Sequence, residues 1–347
     1  MAEQRHTWPP LLELTLVRFR EFIRQPEALF WVFAFPLILA IALGFAFRDR
    51  APERIPVGVI EGVTEDLLVA LEQSPALTPR IYPESAGREA LRTGKISLLI
   101  DRDEAIVFVF DPTRPESRTA RLETDDALQR AAGRKDLVPV ENRESREPGS
   151  RYIDFLIPGL LGMNLMGTGM WGVGFSVATS RMQKLLKRLA ATPMRKSDYF
   201  LSHMLSRLLF LFLEVVVIVA FGWIVFDVAV RGSILLLTVV SLIGAFTFCG
   251  LGLLTASRAQ TIEGVSGLMN LVMVPMWILS GVFFSSERFP DTMQPFIKAL
   301  PLTALNDALR AVMIEGSGLM AVAAEIGILA LWCVLSFVVA LRIFRWN

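Results

Sequence analysis

Residues 181–200 of the chain read RMQKLLKRLAATPMRKSDYF, and they separate two of its most apolar stretches. In a sequence that is 53% hydrophobic, this segment carries six Lys or Arg residues and a single acid. The basic residues are Arg181, Lys184, Lys187, Arg188, Arg195 and Lys196. Four apolar residues repeat at the spacing i, i+3, i+4, i+7, which places them on one face of a helix: Met182, Leu185, Leu186 and Leu189. The segment predicts a short basic amphipathic helix that ends at Pro193, because the residue before a proline is pushed out of the α region.

The composition of the whole chain indicates a membrane protein. Its mean hydropathy of +0.50, with 10% aromatic residues, lies outside the range of soluble domains. Crossing a bilayer takes about 20 apolar residues, and the sequence offers six such stretches. We place them at 28–47, 153–178, 203–226, 233–256, 265–284 and 318–341. The sequence therefore predicts a membrane α-helical fold with six transmembrane helices.

Basic residues in the short connecting segments set the predicted orientation. Thirteen Lys or Arg residues lie in the segments expected on one side, which are 1–27, 181–200, 257–263 and 342–347. Four lie in the loops expected on the other side, which are 227–232 and 285–317. Because Lys and Arg accumulate in cytoplasmic loops, we expect both termini and residues 181–200 to face the cytoplasm.

Residues 48–151 differ in composition from the rest of the chain, since they hold 37 of its 69 charged residues. Buried strands are predicted for IPVGVI (55–60), ISLLI (96–100) and AIVFVF (105–110), with helices between the first two. A charged helix is predicted from Pro115 to about Ala132. We therefore predict a small extracytoplasmic α/β domain between the first and second transmembrane helices.

The predicted organisation has four parts. Residues 1–27 form a cytoplasmic amphipathic helix that lies in the membrane interface, and residues 28–47 form transmembrane helix 1. The α/β domain follows at 48–151, and residues 152–347 form a transmembrane domain of five helices. The last part includes the cytoplasmic loop 181–200 and an outer segment of short helices at 285–317.

Motifs for catalysis or metal binding are missing from the sequence. The two histidines, His6 and His203, are far apart and form no HExxH pattern. The stretch GREALRTGK (87–95) has the wrong glycine spacing for a phosphate-binding loop and reads as a helix that ends at a glycine. Cys249 and Cys333 both lie in apolar stretches, so no disulfide framework is expected. A net charge of +1 gives no reason to expect a nucleic-acid partner.

Polar residues inside the predicted spans are the remaining candidates for function. Glu214 lies near the middle of the third span, where a carboxylate is costly unless it is paired, protonated or in contact with water. We interpret it either as part of a translocation path or as one end of an interhelical hydrogen bond to Asn164 or Asn270. Pro275 removes a backbone hydrogen bond from the fifth span and favours a kink there.

Three motifs, taken in order, give the chain its resemblance to a known family. They are YIDFLIPGLLGM (152–163), KRLAATPMRKSDYFLSHMLSRLL (187–209) and MWILSGVFFSSERFPDTMQPFIKALPLTALNDALRAV (276–312). The last contains a Ser-Gly-x-Phe-Phe exit from the fifth span, short outer helices and a turn at Pro301. With the six spans and the large outer domain, the chain resembles the ABC-2 type membrane subunits of ATP-binding-cassette transporters.

The resemblance implies a permease subunit in a bacterial inner membrane that exports a substrate from the cytoplasm. It implies a homodimer or heterodimer with two copies of a separate cytoplasmic ATPase, so that ATP and Mg²⁺ bind to the partner and no cofactor binds to this chain. In such proteins the loop after span two docks into a cleft of the ATPase. On that basis the expected ATPase-coupling residues are Arg181, Met182, Lys184, Leu185, Leu186, Lys187, Arg188, Leu189 and Pro193.

Other interpretations of the sequence remain open at this point. The basic segment 181–200 is equally compatible with a helix adsorbed on anionic lipid. A membrane sensor would also explain an outer domain on a membrane base, although the chain offers no long cytoplasmic segment for an effector. A secondary transporter needs no ATPase, but it usually shows inverted repeats with broken helices, and none is visible here.

Overall fold

A computed structural model describes residues 10–47, 54–62, 65–102, 105–135, 138, 149–184, 196–257 and 261–343 of the chain. These residues belong to two compact units. The first comprises residues 1–48 and 145–347, and the second comprises residues 49–144.

The first unit contains six helices that are long and apolar enough to cross a membrane, so the prediction of six spans is confirmed. They cover Pro26–Ala46, Tyr152–Ser180, Leu208–Phe226, Ile234–Ala256, Ile262–Leu279 and Ala323–Ile343. Two predicted boundaries were wrong. The fifth helix ends at Leu279 rather than near 284, because Gly281 adopts a left-handed φ of 69° that leaves the helix. The sixth begins at Ala323 rather than near 318.

The full helices of this unit are longer than the spans they contain. Helix α1 (Pro10–Ile23) precedes the first span, which is built from α2 (Pro26–Leu29), a π-helical turn and α3 (Phe35–Ala46). The next spans lie in α7 (Tyr152–Met182), α8 (Lys196–Phe226), α9 (Ile234–Ala256) and α10 (Ile262–Leu279). Short helices α11 (Gln294–Ala299) and α12 (Pro301–Arg310) then lead to α13 (Ala323–Ile343). Pro301 is the first residue of α12, and Pro275 lies inside α10.

Helix α1 packs against the first half of α8. The rings of Phe19 and Phe22 lie 5.2 and 4.1 Å from the ring of Phe210, measured between centroids. Three other apolar residues of this helix, Leu12, Leu16 and Ile23, are exposed in the isolated chain. Helix α1 therefore has one apolar face on α8 and further apolar residues outside that contact.

Helix α7 lies at the centre of the first unit. Within its most apolar window 83% of the residues are buried inside the protein, against 17–56% for the other five spans. Its most extensive contact is with α9. A Cβ atom on Gly169 would lie 2.8 Å from Cβ of Phe248, and one on Gly252 would lie 2.6 Å from the carbonyl oxygen of Met170. The two backbones therefore approach each other closely at positions where any side chain larger than that of glycine would clash.

The second unit, in the part that the structure describes, is a four-stranded sheet with helices on both faces. Its strands are β1 (Ile55–Ile60), β2 (Leu77–Tyr82), β3 (Leu98–Arg102) and β4 (Ile106–Val109), in the spatial order β2-β1-β3-β4. The first three are parallel, and β4 pairs antiparallel with β3. The helices are α4 (Glu65–Glu72), α5 (Glu84–Arg92) and α6 (Pro115–Ala131).

The side chains of this sheet alternate between two apolar clusters. Val59 and Ile100 face Leu71 of α4 and Ala120 of α6, whereas Leu99 faces Ala90 of α5 on the other side. Strand β2, LTPRIY, was not predicted from the sequence because its Pro79 and Arg80 interrupt the apolar pattern. It occupies the edge of the sheet, where a proline without an N–H group is tolerated.

The close approach of α7 and α9 predicts a difference between two glycines of α7. Gly169→Ala would push a methyl group into Phe248, so we expect a loss of about 1–3 kcal/mol of stability. Gly172→Ala is the matched control, because an added methyl group there would meet no atom within 4 Å. The measurement is the thermal midpoint of the detergent-solubilised protein. Equal midpoints for the two variants would contradict the packing described here.

Candidate functional site

The buried carboxyl group of Glu214 contacts the central helix. Glu214 lies on α8 and is fully buried. Oγ1 of Thr168, on α7, lies 3.1 Å from Oε2 of Glu214 and 2.7 Å from the carbonyl oxygen of Asn164. The interhelical hydrogen bond that the sequence offered as one interpretation of Glu214 is therefore formed with Thr168, a residue that the sequence did not single out. Thr168 lies one turn beyond Asn164, which is the only signal for it in the sequence.

The two asparagines that were predicted with Glu214 occupy different surroundings. Asn164 is buried on α7, and its Nδ2 atom has no hydrogen-bond partner among the described residues. Asn270, by contrast, is exposed on α10 of the isolated chain. The structure therefore links Asn164 and Glu214 through Thr168 and does not bury Asn270 beside them.

A second polar cluster surrounds the exit from α10, where the chain leaves the helix at residues 280–283. Nδ2 of Asn306 donates to the carbonyl oxygen of Ser280 at 2.8 Å. Arg310 donates through Nη2 to the carbonyl oxygen of Gly281. The hydroxyl group of Tyr152 donates to the carbonyl oxygen of Phe283 at 2.9 Å. Three backbone carbonyls of this exit segment are thus bound by side chains of α12 and α7.

Arg310 is the centre of this cluster. Its guanidinium carbon lies 3.7 Å from the centroid of the Phe155 ring, and Nε lies 3.4 Å from the carbonyl oxygen of Phe155. Nη1 lies 3.7 Å from Oδ1 of Asp307, whose side chain is 46% exposed. Burial lowers the pKa of Arg310 to about 10, and Asp307 opposes that effect. Arg310 is therefore a cation at neutral pH.

Two glycines of α7 leave the space that this cluster occupies. A Cβ atom on Gly159 would lie 2.5 Å from the carbonyl oxygen of Val282, so the exit segment rests directly on the helix backbone. Gly162 faces Oδ1 of Asn306, which is buried and has no hydrogen-bond partner among the described residues. The start of α7 and the exit of α10, which carry two of the three family motifs, therefore meet in space.

The first residues of α7 are fixed by an ion pair. Asp154 accepts hydrogen bonds from the backbone N–H groups of Gly149 at 2.8 Å and Arg151 at 3.1 Å. Nη2 of Arg151 lies 2.8 Å from Oδ1 of Asp154 and 3.3 Å from the carbonyl oxygen of Asp227, just after α8. The carboxylate, in the first turn of α7, therefore binds back to N–H groups of the residues just before the helix, and Arg151 connects this segment to the end of α8.

The predicted coupling segment is only partly within the described residues. Helix α7 continues through Arg181 to Met182, whose side chain is 49% exposed. Lys184, just after the helix, is exposed and has a left-handed φ of 54°. The predicted amphipathic helix therefore stays a prediction beyond this point. Leu185, Leu186, Lys187, Arg188, Leu189 and Pro193 lie outside the described residues.

Comparison with known families decides the identity of this architecture. A family model described as "ABC-2 family transporter protein" matches residues 26–342, which is most of the chain. The chain belongs to the ABC-2 transporter family. The family resemblance inferred from the three motifs is thereby confirmed. Among the residues that the structure describes, no three His, Cys, Asp or Glu side chains gather in a group that could hold a metal ion.

Individual relatives of this ABC-2 protein match parts of the chain. ABC transporter G family member 20 of Dictyostelium discoideum is 27% identical over 172 residues, which are 50% of this chain and 24% of that protein. Nodulation protein J of Bradyrhizobium diazoefficiens is 34% identical over 98 residues, 28% of this chain and 37% of that one. The probable multidrug ABC transporter permease YbhR of Escherichia coli K12 is 23% identical over 172 residues, 50% and 47% of the two chains. The chain therefore matches less than half the length of each of these relatives.

The contact between Thr168 and Glu214 predicts an energetic coupling within this ABC-2 protein. Thr168→Val and Glu214→Leu each remove one partner, so their effects on stability should not add. We expect a coupling energy of about 0.6–1.7 kcal/mol, the range for hydrogen bonds between membrane helices. The measurement is a double-mutant cycle of unfolding in mixed micelles with SDS.

The matched control replaces a different threonine. Thr238 is exposed on α9 and its hydroxyl group donates at 2.8 Å to Ile234 of its own helix. Thr238→Val combined with Glu214→Leu should give additive effects. Additivity in the Thr168 cycle as well would mean that the interhelical hydrogen bond contributes nothing measurable.

Proposed function

We propose that the chain is the membrane-spanning permease subunit of an ATP-driven exporter, which moves a substrate out of the cytoplasm with energy from a separate ATPase. The observation that carries this proposal is the family match across residues 26–342, together with six membrane-spanning helices. A small amphiphile, a drug, a lipid or an ion would fit such a permease. One relative is named a probable multidrug permease, which favours an amphiphilic substrate.

ATP hydrolysis is assigned to the partner because this chain has no phosphate-binding loop in its described residues. Residues 84–92 form helix α5, and Gly94, with a φ of 74°, ends the turn that follows it. The Gly87–Lys95 stretch is therefore the end of a helix, and Lys95 does not follow a loop of the kind that surrounds phosphates. ATP and Mg²⁺ would bind to the partner subunit, in two copies per transporter.

The basic segment 181–200 is the proposed contact with that ATPase. Met182, the last residue of α7, and Lys184, just beyond it, have exposed side chains. The apolar part of the segment is supplied by Leu185, Leu186 and Leu189. Lys187, Arg188 and Arg181 supply positive charge that would complement an acidic cleft. Since α7 leads into this segment, force applied there would act on the most buried helix of the protein.

The coupling proposal predicts how ATPase activity depends on this segment. The purified chain alone should not hydrolyse ATP, and an ABC ATPase that co-purifies with it should be stimulated when the two are combined in neutral detergent. Leu185→Ser with Leu189→Ser should abolish that stimulation and leave the basal rate. Charge reversal at Lys184 and Lys187 should weaken co-purification most strongly at low salt, where screening is least.

Leu319→Ser serves as the matched control for these leucine variants, because Leu319 is 59% exposed and lies in the outer loop before α13. It should leave stimulation intact. Neutral detergent removes anionic lipid, so a segment that only adsorbs to membranes would give normal assembly and stimulation in all variants. That result would exclude residues 181–200 as the coupling element.

We further propose that the transporter lies in a bacterial inner membrane with both termini and residues 181–200 in the cytoplasm. The distribution of 13 against 4 Lys or Arg residues between the two sides supports this orientation. The sheet unit at 49–144 would then be an extracytoplasmic α/β domain between the first and second spans.

This topology predicts opposite labelling of two matched positions. Gln73 lies after α4 and Gln183 lies after α7, and both side chains are exposed. In a background with Cys249 and Cys333 replaced by alanine, Gln73→Cys should react with an impermeant maleimide applied outside the inner membrane. Gln183→Cys should react only after the membrane is made permeable. Labelling of Gln183→Cys from outside would overturn the proposed orientation.

A dimer of permease chains is also part of the proposal. The exposed face of α10 carries Asn270 near its middle, with Leu271 and Val274 beside it. A polar amide exposed to lipid is unfavourable, and Gly267, one turn away, has no neighbouring atom within 4 Å of its Cβ position. A second copy, or a water-filled path between two copies, would cover Asn270. Glu214 and Asn164, deeper in the protein, are the other proposed residues of that path.

A further inference from the structure

The backbone carbonyl groups of the exit segment 280–283 need hydrogen-bond donors that the segment itself does not supply. After α10 ends at Leu279, the carbonyl groups that follow have no helical N–H partners. A buried carbonyl group without a hydrogen-bond donor is unfavourable where water cannot reach it. Asn306, Arg310 and Tyr152 supply the missing donors. The conformation of the exit segment therefore depends on side chains from other elements.

Arg310 differs from the other two donors in how many parts of the chain it joins. Asn306 connects α12 to the exit segment, and Tyr152 connects α7 to it. Arg310 lies on α12, donates to Gly281 in the exit segment, and contacts both the ring and the carbonyl group of Phe155 on α7. It is thus the side chain through which all three elements meet.

The chemistry of this position requires arginine. A guanidinium group is planar, donates in several fixed directions and stacks on an aromatic ring. Here one face lies on Phe155 while the edges donate to carbonyl oxygens of two segments. Lysine has the same charge, but its ammonium group is compact and cannot stack in this way.

We propose that Arg310 is a positioning residue that fastens the exit segment 280–283 and α12 to the start of α7, so that the three move as one body. The inference rests on the proposed function, because movement of α7 would be driven by the ATPase at residues 181–200. Gly159 contributes to the same attachment, because without a side chain at this position the carbonyl group of Val282 can pack directly on the backbone of α7. A displacement of α7 at the cytoplasmic end would therefore be delivered to the outer segment without a hinge between them.

Hydrogen–deuterium exchange of the full-length protein tests this assignment. Arg310→Met keeps an unbranched apolar side chain and removes every donor, so amides of residues 281–285 should exchange faster by about tenfold or more. Arg310→Lys should give an intermediate rate, because it retains the charge and a single donor group. Arg288→Met is the matched control, since Arg288 is exposed in the same outer segment. In this variant the amides of residues 281–285 should exchange at the wild-type rate.

A second arm compares the protein with and without ATP in complex with its ATPase. In the wild type, ATP should change exchange both at residues 196–206 of α8 and at 281–285. In Arg310→Met the change at 196–206 should persist and the change at 281–285 should disappear. A merely structural role would instead raise exchange throughout α9 and lower the thermal midpoint of the whole protein.

The two arms separate the possible failures. Wild-type rates at 281–285 in Arg310→Met without ATP would overturn the inference, and so would a rise spread evenly over the protein. An ATP response at 281–285 that survives in Arg310→Met would overturn it too. If ATP changes exchange nowhere in the wild type, the proposed function fails, and the comparison without ATP still decides whether Arg310 holds the exit segment.

Discussion

Close backbone contact along α7 is the constraint on which the rest of the transmembrane unit depends. Lipid is as apolar as leucine, so helices in a membrane gain little by burying apolar side chains and associate through packing and hydrogen bonds instead. Helix α7 meets this condition at Gly169 and again at Gly174, where a Cβ atom would lie 2.8 Å from the carbonyl oxygen of Gly252. Five spans expose much of their surface, and α7 is the one around which they assemble.

The length of α7 gives this packing a mechanical consequence. Its 31 residues extend about 45 Å at 1.5 Å per residue, which is enough to cross the bilayer and its interfaces. One end leads into the basic segment 181–200, and the other holds the exit of α10 through Tyr152 and Phe155. Midway, Thr168 contacts the buried Glu214. A helix in this position can carry a displacement from residues 181–200 at one end to the exit segment 280–283 at the other.

The sequence predicted the features that follow from composition and periodicity. Six spans were found because each is a long apolar run, and the strands β1, β3 and β4 were found because they are short apolar runs between turns. Strand β2 was missed because Pro79 is acceptable only at a sheet edge, and edge position is a property of the assembled sheet. The fifth span was drawn too long because residues 282–284, Val-Phe-Phe, are apolar although they are not helical.

The candidate site was predictable only in part, for the same physical reason. Glu214 stood out because a carboxyl group within an apolar span is rare. Thr168 did not, because a threonine in a span usually bonds to its own helix, and its second partner lies 46 residues away. Arg310 lies within the third family motif, but its role depends on Phe155, 155 residues earlier in the chain. Such long-range pairs leave no local signal.

The central claim is that α7 carries ATPase-driven movement to the outer segment as a rigid body. Cryo-electron microscopy of the permease with its ATPase, nucleotide-free and trapped with ATP, would measure this most directly. The account predicts that residues 181–200 sit in a cleft of the ATPase and that α7 shifts between the two states. It also predicts that Arg310, Asn306 and Tyr152 keep their contacts with residues 280–283 in both. A stationary α7, or an outer segment that separates from it while substrate passes, would contradict the account.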